Sequence, residues 1–162
     1  MQSEALTTIT ARYSLREDRI VVDCVIHTGD ELQLAFTQRL GRALVAELVR
    51  QVSARTDNPL MHDFAQDEAI STKPQSDAVK VVDGRPAWLV THVHFQEIDA
   101  GVRVIFTEDD ERAVHLDCAV AVLRNLIDIF HKSFVAAEWD VGVFPAWATG
   151  QAGAAPQSQV IN

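Results

Sequence analysis

Four histidines, His27, His92, His94 and His115, fall at positions that strand alternation turns to one side, and His92-Val93-His94 is the spacing at which two imidazoles can face one ion. Same-side neighbours on a strand sit about 7 Å apart. A metal site at His92, His94 and His115 therefore requires the fold to bring the third ligand in. His27 and Asp23 are further donors, whereas Glu97 has the wrong parity. Without that convergence these are ordinary surface or interface histidines.

His115-Leu116-Asp117-Cys118 holds the residue types of a thiol nucleophile and its base, and a cysteine at a helix N-terminus can have a lowered pKa. No Gly-rich oxyanion loop accompanies it. Asp117 fits the role of helix cap and Cys118 the first helical position, so the expectation is a bystander thiol and no catalytic residue. The run Glu108-Asp109-Asp110-Glu111 lacks the glycine and the spacing of a calcium loop and reads as a solvated hairpin turn. The sequence contains no G-x-G-x-x-G, Walker, G-x-S-x-G or H-E-x-x-H motif, and its seven glycines are scattered through turns and the tail. No cofactor is implied. The two cysteines, Cys24 and Cys118, belong to no C-x-x-C pair and read as reduced core thiols.

The balance of 14 basic against 23 acidic residues, a net charge of −9, opposes a phosphate backbone or an anionic membrane surface. No stretch approaches the roughly 20 apolar residues of a membrane span, and Met1 to Ala5 lacks a signal-peptide pattern. A cytoplasmic protein with neither nucleic acid nor membrane as partner is expected. A chain of 162 residues fits one domain with a substantial core.

The elements that would position these groups form a repeated pattern. Thr8 to Leu15 alternates with period two, Ile20 to Ile26 follows a turn at Arg16-Glu17-Asp18, and Leu32, Leu34 and Phe36 make a third strand after Thr28-Gly29-Asp30. Thr37 then caps a helix carrying Leu40, Ala43, Leu44, Leu48 and Val52 at helical spacing. A shift of 80 positions reproduces this order: Val22 falls on Val102, Leu34 on Val114, Phe36 on Leu116 and Thr37 on Asp117. The fold expected is α+β, with tandem βββα units forming a mostly antiparallel sheet and two long helices packed on one face. Unit one spans 6–54, a connecting arm with a short helix 55–86, unit two 87–137 and an aromatic C-terminal segment 138–147, all within one domain of 1–147. Residues 148–162 read as a disordered tail.

The expected core includes Tyr13, Leu15, Val22, Phe36, Val104, Phe106, Leu123, Ile127 and Phe130. In the arm, Asn58-Pro59 starts a helix whose Leu60, Met61, Phe64, Ala65 and Ala69 form an apolar stripe, with Asp63, Asp67 and Glu68 opposite. That stripe reads either as a cover for the core or as an arm that docks on another subunit. Ala78 to Val82 suggests an edge strand before an Asp83-Gly84 turn.

The same parity turns Val21, Val25, Ala35, Trp88, Val90 and Ile105 to the outer sheet face, a half-apolar surface that something should cover. Trp139, Phe144 and Trp147 add an aromatic segment that either caps the chain's own core or anchors a partner. The expectation is a non-enzymatic, adaptor- or chaperone-like interaction domain, self-associating as a homodimer and binding a protein through Trp88, Val90, Ile105, Trp139, Phe144 and Trp147. The alternative is a small-molecule or metal-binding domain, or an enzyme, using the histidine face.

Overall fold

The computed structural model describes residues 2–74, 77–79 and 86–150. Alternating apolar and polar side chains give β1 (Glu4–Ser14), which turns through Asp18 into β2 (Arg19–Ile26), and a turn at Gly29 leads to β3 (Glu31–Phe36). Helix α1 (Gln38–Ala54) opens at Thr37, whose hydroxyl accepts from the Leu40 N–H at 3.2 Å. A 3-10 turn (Pro59–Met61), capped by the Asn58 side chain, runs into α2 (His62–Ser71). Then come β4 (Trp88–Leu89), β5 (His92–Ile98), β6 (Gly101–Glu108), β7 (Arg112–Cys118) and α3 (Val120–Ala137). No helix among the described residues is long and apolar enough to cross a membrane.

The fold is α+β. Among the described residues seven strands form one mostly antiparallel sheet in the order β4-β3-β2-β1-β7-β6-β5, with parallel pairing at β1/β7 and β3/β4. If flat, this order would hold β3 and β6 four spacings apart, about 19 Å. Phe36 of β3 and Phe106 of β6 instead meet edge to face with centroids 5.6 Å apart. The sheet therefore curls until its two ends approach. One run of chain joins them, because the Val90 N–H donates to the Ala35 carbonyl and the Thr91 N–H donates to the Thr107 carbonyl.

One apolar cluster unites strand residues Val22, Leu34, Phe36, Val104, Phe106 and Val114 with Leu44 and Leu48 of α1 and Leu123, Ile127, Phe130 and Phe134 of α3. Full burial of each such side chain contributes about 1.5–3 kcal/mol. Gly101 opens β6 at φ 146°, and a Cβ there would lie 2.2 Å from the Cys118 carbonyl oxygen, so this strand start admits only glycine.

Several expectations change. Leu15 lies beyond the end of β1 and is exposed, while Tyr13 packs edge to face on Trp139. Strand β7 continues through Cys118, so the N-cap of α3 is Ala119, with no side-chain cap bond, and Asp117 is held on the strand by Arg103. Trp88 and Val90 lie on the core side, because Trp88 pairs with Leu34, whose side chain points inward. Parity counted back from Val93 fails there because the chain passes from one end of the sheet to the other between Leu89 and His92. Ala148 is buried in a 3-10 turn (Ala146–Ala148), so the described chain stays packed past the expected start of the tail. Residues 151–162 of that tail, and most of the expected edge strand with its Asp83-Gly84 turn, lie outside the described residues.

Candidate functional site

His92 and His94 of β5 and His115 of β7 share one side of the sheet without gathering around a point, and His27 lies just past β2, where its N–H donates to the Ala5 carbonyl. His92 and His94 stack with ring centroids 6.2 Å apart, and His92 Nδ1 meets the Thr91 hydroxyl at 3.1 Å. His94 pairs with Ile105 and Ile105 with His115, which sets His94 and His115 two strands apart, about 10 Å. His115 is buried with Nδ1 2.7 Å from the Ser3 hydroxyl, and burial, then the nearby Arg103, hold its pKa below the ordinary value. Asp23 lies on another part of the sheet, with both carboxylate oxygens bonded, to Arg12 and Gln33. Among the described residues no group of three or more His, Cys, Asp or Glu is placed to hold a metal ion. Cys118 is buried, its thiol donates to the Leu116 carbonyl, and burial pushes its pKa up to about 12, which leaves it a thiol at neutral pH.

The residues expected to bind a partner are largely engaged within the chain. Val21, Ala35 and Val90 are buried, Ile105 is half-buried between two histidines, and Trp88 lies under the Arg112 guanidinium at 4.6 Å. Phe144 is buried against Phe134 and His131, Trp139 packs on Phe134 and Tyr13, and Trp147 stacks on His62 at 4.5 Å. The aromatic segment therefore caps the core and the arm rather than projecting from them.

Three of the large exposed apolar side chains among the described residues lie together on the arm. Leu60 is 89%, Phe64 63% and Met61 47% exposed, while the polar His62 and Gln66 of the same segment are buried. The expected apolar stripe is thus split: Leu60, Met61 and Phe64 face solvent, whereas Ala65 is half-buried and Ala69 buried beside His62 and Gln66. The cause is Arg124, which lies between Leu123 and Leu126 on the buried face of α3 and needs acceptors there. Its guanidinium donates to the His62 carbonyl and Nδ1, to Gln66 Oε1 and to the Thr56 hydroxyl, and Gln66 Nε2 donates back to the Arg124 carbonyl. Trp147 lies over the same guanidinium at 5.1 Å. Turning Leu60 and Phe64 inward would take these acceptors away from a buried charge. Sequence reading missed this site because it placed apolar residues inside by default; the available signal was an arginine within the apolar stripe of α3.

The geometry thus defines a curled α+β scaffold with a helical arm that clamps His62 and Gln66 inward and leaves Leu60, Met61 and Phe64 exposed. No protein-family model, curated protein or solved structure matches the chain.

Proposed function

We propose that the chain is a non-enzymatic protein-interaction domain that docks a protein partner on the Leu60, Met61 and Phe64 face of its arm. The observation that carries this reading is the exposure of Leu60, Met61 and Phe64 beside the buried His62 and Gln66. A large apolar group left in water while neighbouring polar groups are buried runs against ordinary folding preference, and such conflicts concentrate at functional surfaces. The clamp around Arg124 holds the face in position before any partner arrives, which lowers the ordering cost of association.

The scaffold is read as two tandem βββα units, each supplying one long helix to the shared core. Its support is the equivalence of the two parallel junctions. Leu34 and Ala35 pair with Trp88 and Leu89, and Val114 and His115, 80 positions further on, pair with Glu4 and Ala5. Each third strand thus meets the first strand of the other unit.

Native mass spectrometry of the protein purified from its own host, beside the Leu60→Ser/Phe64→Ser variant, tests the reading. The expected result is a stoichiometric second polypeptide on the wild type that is lost from a variant with unchanged circular dichroism. A partner retained by the variant, or a bound ion or small molecule in place of a polypeptide, overturns it.

A further inference from the structure

We infer that the partner presents a short amphipathic segment whose apolar residues are flanked by lysine or arginine. This rests on the arm being the docking face and concerns what that face selects. Phe64 has Asp67 and Glu68 three and four residues on, which places them on its own side of α2, and Asp63 lies beside them. All three carboxylates are exposed, as is Asp57 just before the 3-10 turn. Among the described residues none of these four takes part in an ion pair, although both acids and bases elsewhere on the surface do, as in Arg55 with Glu97 and Arg103 with Asp117.

This charge pattern separates the possible occupants. A second copy docked about a two-fold axis would set the acidic rim against itself. Like charges facing each other across an interface oppose association, so the face disfavours self-pairing. An anionic lipid surface meets the same repulsion. A purely apolar segment would cover Leu60 and Phe64 but dehydrate the surrounding carboxylates without compensation. Lysine or arginine next to the apolar residues supplies that compensation, and the chain's net charge of −9 would steer such a partner in from a distance.

The test uses the full chain and two synthetic helical peptides of about 18 residues, one built from leucine and lysine and one from leucine and glutamate with the same leucine pattern. Fluorescence anisotropy is read at low and high salt. The leucine-lysine peptide should bind, should weaken about tenfold or more in high salt and in the Asp63→Asn/Asp67→Asn/Glu68→Gln variant, and should be lost with Leu60→Ser/Phe64→Ser. Neutralising the distant Asp109, Asp110 and Glu111 as Asn, Asn and Gln should leave its affinity within about twofold, which separates the arm from the general acidity of the chain. Equal binding of both peptides, or equal losses from the two neutralised sites, overturns the inference. Binding of neither peptide, with the host partner still lost from the Leu60→Ser/Phe64→Ser variant, also overturns it and leaves the docking face standing. Concentration-dependent dimerisation abolished by Phe64→Ser makes a second copy the occupant and overturns it as well.

Discussion

A guanidinium removed from water must be surrounded by acceptors, and Arg124 finds carbonyl, amide, hydroxyl and imidazole acceptors rather than a carboxylate. The imidazole makes this arrangement sensitive to pH. Arg124 donates to His62 Nδ1, a bond open only to the neutral ring, and burial, then the neighbouring Arg124 charge, lower the His62 pKa while Asp63 opposes them. His115 and His131 are lowered as well, each chiefly by burial. A group whose folded pKa lies below its unfolded value near 6.5 leaves the unfolded state holding more protons between the two values. The contribution of these histidines is therefore complete above about pH 6.5 and falls as pH drops through the window below it. Urea midpoints at successive pH values between about 7.5 and 5 should decline, and His62→Asn should flatten part of the slope. The lowered carboxylates Glu47 and Asp117 lose their contributions in a more acid range, so they do not produce this decline. A flat profile in the wild type would remove His62 from the account.

At the scale of elements, the hairpin strands and α1 were legible because each buries one face against one core, and that leaves a period in the sequence. Val22, Leu34 and Phe36 alternate as expected, and Thr37 caps α1. Helix α2 was legible as a helix but not in its rotation, since periodicity records where apolar residues lie and not what a buried arginine on another helix demands. The start of α3 failed similarly, because Arg103 takes the carboxylate of Asp117 that a cap would need. The rotation of α2 reverses the usual ranking of substitutions for these residues. Leu60→Ser and Phe64→Ser should each change unfolding free energy by less than about 0.5 kcal/mol, as exposed positions do. Gln66→Ala should cost about 1–3 kcal/mol, because it removes an acceptor from a buried charge and the side-chain donor that the Arg124 carbonyl has beyond its helical bond. Chemical denaturation of the three variants checks the order. A larger loss from Phe64→Ser than from Gln66→Ala would show that the arm packs by its apolar stripe.

Across the whole molecule, the histidine reading and the outer-face reading were limited by the same thing: parity places a residue on a side of its strand, but the path of the sheet decides what that side meets. The curl brings Phe36 against Phe106, and Phe130 of α3 meets Phe36 at 5.4 Å, so one side chain joins the two ends of the strand order to a helix. The hairpins around it are long, whereas the β3/β4 junction is a ladder of two residue pairs extended by the Val90 bond to Ala35. Opening should begin there, since local opening follows the least supported hydrogen bonds. Native-state hydrogen exchange should find the Val90 amide exchanging through an opening of lower free energy than the amides of β2. Phe36→Ala, at a side chain 1% exposed, should lower global stability by about 3–5 kcal/mol and reduce protection at Val90 together with that of β6 around Phe106. If the loss of protection stays within β2 and β3 and leaves β6 untouched, Phe36 fills the core without holding the curled sheet together.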